Sequence, residues 1–241
     1  MTSNPMLRQN TAQEIVFDSK PMSAQGAINK TGILLAIVVA VGAYCWHLCA
    51  SGFSDKAMLL ATIGAIMGFI LALVTFFKPN TSHITAPAYA ICEGALVGAV
   101  SFMYNSAYQG IVLNAIFATL AALFSMLFLY KTRIIQATPK FRKVIVVSTI
   151  GIAVFYLAGI IGAFLGHPMT IFNGSIVGIG VSLAICVIAA LNFILDFDFF
   201  ERAEGRLPDY YEWYAGLSLL VTVIWLYFEI LRLLAQLNSR R

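Results

Sequence analysis

The stretch AMLLATIGAIMGFILALVTFF, Ala57–Phe77, runs for 21 residues without one charged side chain. About 20 mostly apolar residues are what a helix needs to cross the hydrocarbon core of a bilayer. Period-two alternation, the mark of a barrel strand, is absent. A lipid-facing backbone must satisfy its own hydrogen bonds, so the stretch is read as a spanning helix. Six more apolar runs share its length and character: Thr31–Ala50, Ala86–Tyr104, Gly110–Tyr130, Val144–Leu165, Ile171–Leu195 and Tyr214–Leu234. The connections between them are short. The whole is therefore an all-α polytopic membrane protein, a bundle of seven transmembrane helices over 31–241. Residues 1–30 form a polar tail that the sequence reads as disordered, with no short apolar core of the kind a secretory signal carries.

Composition agrees. Of the 241 residues 60% are hydrophobic and 11% charged, against roughly a quarter charged in soluble domains. Mean hydropathy is +0.86. A water-soluble fold of this size would lack the polar groups to cover itself, whereas lipid removes that need. The net charge of +4 is modest and gives no reason to expect a nucleic-acid partner. Lysine and arginine placement instead reads as topology. Eleven fall in the tail and in alternate loops, with Lys131, Arg133, Lys140, Arg142 and Lys143 in one of them; Lys56, Arg240 and Arg241 fall on the other side. The N terminus is thus expected in the cytoplasm and the C terminus outside. Tyr210, Tyr211, Trp213 and Tyr214 suit the membrane interface where the last helix enters.

The four cysteines lie in apolar runs and suggest no disulfide framework. Cys45 and Cys49 share a helix face from which His47 points away, so packing is preferred to metal binding. His47, His83 and His167 stand in separate segments, and no nucleophile elbow or phosphate-binding loop is present. The last span holds no lysine for a retinal Schiff base. No enzyme activity, cofactor or metal is expected.

Ionisable residues at membrane depth carry the functional information, because a charge at the bilayer centre costs about 2.5–3.5 kcal/mol even on lenient scales. Glu93 lies about two turns into the third span. Asp196 and Asp198 end the sixth, where they are either ordinary interface residues or part of a site. Opposite helix directions put Glu93 and Asp196 at similar depth. Two neighbouring carboxylates cannot both carry charge cheaply, which makes Glu93, Asp196 and Asp198 candidates for a proton-sensing or cation site. Glu229 and Arg232, three apart on the seventh span, are read as a self-neutralising structural pair.

The last span, LSLLVTVIWLYFEILRLL (217–234), resembles the final helix of the Bax inhibitor family, which includes the bacterial YccA proteins. That helix reads Leu-Ser-Leu-Tyr-Leu-Asp-x-x-Asn-x-Phe, then Leu-Leu-Arg; Leu217, Ser218, Leu219, Leu231 and Arg232 match it. Ile194-Leu195-Asp196-Phe197-Asp198 is similar to the family's aromatic-Asp-Thr-Gln segment, with Asp196 on its aspartate. FFKPN, APAYAICEGALVGAVS and LYKTRIIQATPKFRK resemble a bacterial Bax-inhibitor-like branch. The resemblance implies seven helices with the last one central, in a bacterial inner membrane. It also implies a pH-sensitive calcium leak through paired aspartates on spans six and seven. Here the second aspartate position falls on Thr222, and span two lacks the arginine of calcium-leak members; Glu93 is the carboxylate that could replace the missing one. The alternative that the resemblance offers is a non-conducting interaction protein that modulates a membrane protease. Expected partners are the lipid bilayer with calcium or protons, or that protease.

Overall fold

The computed structural model describes residues 20–166 and 175–240. Residues 1–19, with most of the expected tail, lie outside the described residues, as do His167, Ile171–Gly174 and Arg241. Seven long apolar helices stand among the described residues: α1 (Ala24–Ala50), α2 (Ser54–Phe77), α3 (Ser82–Ala107), α4 (Ile111–Lys131), α5 (Pro139–Phe164), α6 (Ile176–Ala203) and α7 (Tyr211–Asn238). A 3-10 turn, Pro79–Thr81, leads into α3. Length and hydropathy qualify all seven as membrane spans. The chain is an all-α polytopic membrane protein. Its outward-facing apolar side chains, Leu59, Ile63, Ile66 and Phe69 on α2 and Val147, Ile150, Val154 and Leu157 on α5 among them, are what lipid requires.

Two bounds differ most from the sequence reading. α1 begins at Ala24, seven residues before the apolar run. Ser23 caps it, its Oγ accepting the Gly26 N–H at 2.9 Å, which satisfies one of the orphan donors of the first turn. α6 continues to Ala203, so Asp196 and Asp198 lie inside the helix instead of ending it. Its C-terminal turn closes at Gly205, whose φ of 70° is the left-handed conformation that glycine adopts without a Cβ clash.

The chain packs as two compact units. The first holds the described residues up to Val100, together with Asp198–Leu220. Its helices meet through glycine. Gly94 packs so closely on α1 that a Cβ there would stand 2.9 Å from the Val38 carbonyl oxygen; a Cβ on Gly98 would meet the Gly42 Cα at 2.8 Å. Without a hydrophobic force between helices in lipid, such close contact supplies much of the attraction. Hydroxyls tie α2 to α3: Thr75 donates to Thr85 Oγ1 at 2.6 Å, and Thr85 donates to the Thr81 carbonyl at 3.1 Å.

The segment before α1 is strapped to the loop that precedes α7. Pro21 pairs antiparallel with Pro208. Met22 N–H reaches the Leu207 carbonyl at 2.7 Å, Gly205 N–H the Met22 carbonyl at 2.9 Å, and Asp209 N–H the Lys20 carbonyl at 2.9 Å. Ser23 donates from N and Oγ to Glu212 Oε1, at 3.1 and 2.9 Å. The Ala24 N–H reaches Glu204 Oε1 at 3.3 Å, and the Lys30 ammonium lies 4.6 Å from the Trp213 ring centroid. The Glu204 carboxylate and the Asp209 backbone N–H thus both hold the backbone leading into α1.

The second unit holds Ser101–Phe197 and the chain from Val221 onward. Ser101 Oγ and Tyr227 Oη are 2.6 Å apart. Asn192 donates to Thr149 Oγ1 at 3.0 Å and to the Ile188 carbonyl at 2.8 Å. Phe193 stacks on Phe197 at 6.3 Å between centroids, and Phe197 meets Tyr130 at a tilt, at 5.9 Å. α7 is the most buried span: 56% of its most apolar stretch is buried, against 6–39% in the other six.

Candidate functional site

Asp196 sits about two turns before the end of α6 and Thr222 three turns into α7. Both are buried, and Thr222 Oγ1 donates to Asp196 Oδ2 at 2.7 Å. The two positions that the sequence placed on spans six and seven are therefore in direct contact. Threonine brings no charge. Its hydroxyl donates to a carboxylate and, after rotating, accepts from a carboxylic acid. The hydroxyl is thus a hydrogen-bond partner for Asp196 that adds no second charge to the buried contact.

Asp198 belongs to the first unit and faces another neighbour. Arg202, one turn on, forms an ion pair with its Oδ2. A guanidinium near a helix C-terminus, where basic residues are favourable, offsets the charge of this carboxylate.

Glu93, also in the first unit, lies on α3. Tyr89 stands one turn earlier on the same helix, and the Glu93 Oε2 is 3.4 Å from where a Cβ on Gly68 of α2 would stand. Glycine at 68 gives the carboxylate room between the helices. Glu93 and Asp196 fall in different units, each with partners of its own.

Glu229 and Arg232 form the expected ion pair, Nη1 to Oε2 at 3.1 Å. The pair is half of a larger network. Tyr156 of α5 donates to Glu229 Oε1 at 2.7 Å, and Trp225 Nε1 donates to the same oxygen at 3.1 Å. Arg232 Nη1 reaches the Tyr156 hydroxyl at 2.5 Å, and the guanidinium lies 5.0 Å from the Tyr156 ring centroid. Tyr156 and Trp225 escaped the sequence reading. Trp225 stands one turn before Glu229 and was open to it from spacing alone; Tyr156, 73 residues away, gives no local signal.

Cys45 and Cys49 are buried thiols, and His47 on the same helix is exposed. Among the described residues no group of three or more His, Cys, Asp or Glu side chains gathers for a metal ion.

Seven apolar spans and buried acids bonded at membrane depth define a polytopic membrane protein with titratable groups inside its helical packing. Lipid is its solvent. The chain belongs to the Bax inhibitor 1 like family, whose family model matches residues 4–239. No curated protein and no solved structure matches it.

Proposed function

We propose that this protein is a proton-regulated cation leak, with calcium as the permeant ion and Asp196 as its titrating group. The observation that carries the reading is the buried contact between Asp196 and Thr222, at the family's aspartate positions on spans six and seven. Calcium prefers several oxygen ligands, and a carboxylate, a threonine hydroxyl and nearby carbonyls are oxygen donors of that kind. Glu93 is the second proton-sensitive acid of this reading. Asp198, neutralised by Arg202, is left out of it.

The purified chain, reconstituted in liposomes, carries calcium flux that depends on pH. Asp196→Asn removes or displaces that dependence, and Glu93→Gln displaces it. A double variant little different from either single one marks one coupled element; additive shifts mark two independent ones. Folded variants that all keep the wild-type pH profile defeat the proposal.

The reading also places the protein in the YccA branch, in a bacterial inner membrane, with the N terminus in the cytoplasm. The distribution of lysine and arginine supports this orientation. Reporter fusions at the two ends should give opposite signals; ends on the same side reject it.

A further inference from the structure

Three buried polar atoms in the second unit have no hydrogen-bond partner among the described residues: Ser182 Oγ on α6, and Nε2 and Oε1 of Gln236 on α7. Ser182 is 0% exposed and Gln236 5%. An unmade hydrogen bond costs about 1–3 kcal/mol for each buried group, and native interiors rarely carry one unexplained.

The two residues stand at the same level. α6 and α7 run antiparallel, and the contact between Asp196 and Thr222 fixes their register. Fourteen residues from that contact, about 21 Å along each helix, come Ser182 on one and Gln236 on the other. Gln236 is in the last turn of α7 and Ser182 in the second turn of α6. Both lie where a spanning helix approaches headgroup water.

Their chemistry selects the occupant. The three atoms are one hydroxyl, one amide donor and one amide acceptor, all neutral. A cation would face the Gln236 amide hydrogens, and an anion its carbonyl. Water serves both, and a buried water makes about three hydrogen bonds to otherwise unsatisfied groups. We propose that Ser182 and Gln236 form a water-binding pocket that admits solvent between α6 and α7 at the C-terminal end of α7. It forms an aqueous inlet one turn from Arg232, and stands whether or not the protein leaks calcium.

The test uses single cysteines. Ser182→Cys and Gln236→Cys are made in a chain whose Cys45, Cys49, Cys92 and Cys186 are replaced by alanine. Each is reconstituted in phosphatidylcholine liposomes loaded on both sides with a cationic methanethiosulfonate, which needs a thiolate in water. Leu183→Cys, beside Ser182 but exposed on the lipid side, is the control. Both pocket thiols should react at least about tenfold faster than the control; reaction as slow as the control overturns the pocket. Melting of Ser182→Ala and Gln236→Leu gives a second measurement on the chain with its native cysteines. Removing groups that are dry and unpaired raises the Tm, whereas removing groups that hold water leaves it level or lowers it. A rise in both variants overturns the proposal.

Discussion

Glu229→Ala loses most of its folded protein. Glu229 is 2% exposed and accepts from Tyr156, Trp225 and Arg232. Its removal deprives three donors of one acceptor, and a half-buried guanidinium of its counter-charge. Breaking a buried pair from one side costs about 3–5 kcal/mol, a large part of the 5–15 kcal/mol that holds a typical domain. The loss should appear as a collapsed monodisperse peak in size-exclusion chromatography and a lower Tm. Glu229→Gln keeps an acceptor for Tyr156 and Trp225 but not the charge, so its loss is smaller. Replacing both Glu229 and Arg232 by leucine recovers part of the stability, because neither charge is then left without the other. If the protein is the calcium leak proposed above, any folded Glu229→Gln protein should keep its specific flux. Wild-type melting of Glu229→Ala would remove the network from the account of stability; a folded Glu229→Gln without flux would move Glu229 into the functional set.

Gly98→Val prevents α1 and α3 from meeting. Even the first added carbon would stand 2.8 Å from the Gly42 Cα and closer still to its carbonyl oxygen. These are backbone atoms, which cannot rotate aside as a side chain can. Overpacking by a methylene or two costs about 1–3 kcal/mol, and valine adds branches beyond the carbon that already clashes. Gly98→Ala should be intermediate. Gly151 is the control: it is helical, but nothing lies within 4 Å of its added Cβ, so Gly151→Ala should melt at or slightly above the wild type on helix propensity alone. Equal melting of the valine variant and wild type would show that the α1–α3 crossing is not glycine-dependent.

Span number and type were legible because lipid imposes one simple demand, a long apolar run, and all seven helices answer it. The start of α1 was not. AQGAINK, residues 24–30, is too polar to be read as membrane, yet Ser23 caps it into helix and the loop before α7 holds it. Hydropathy sees the solvent preference of a segment but not a partner 189 residues away. The same limit divides the candidate site. Glu229 and Arg232 were visible through spacing on one helix, and Asp196 with Thr222 through resemblance of two short motifs. Tyr156 and the Gly68 recess beside Glu93 arise only from packing between helices. The end of α6 was set too early because Asp196, Asp198, Glu201 and Arg202 look like an exit from the membrane; the helix carries them two turns further.

The strap also has a consequence for the order in which the molecule is completed on the ribosome. Ser23 is among the first of these residues to be made, yet its partner Glu212 follows 189 residues later. At about 5–20 residues per second, Met22 and Ser23 wait roughly 10–40 s before the loop that holds them exists. The first six helices are therefore synthesised while the start of α1 lacks its final neighbours. The strap closes as a late step, after the chain has already delivered most of its spans to the bilayer.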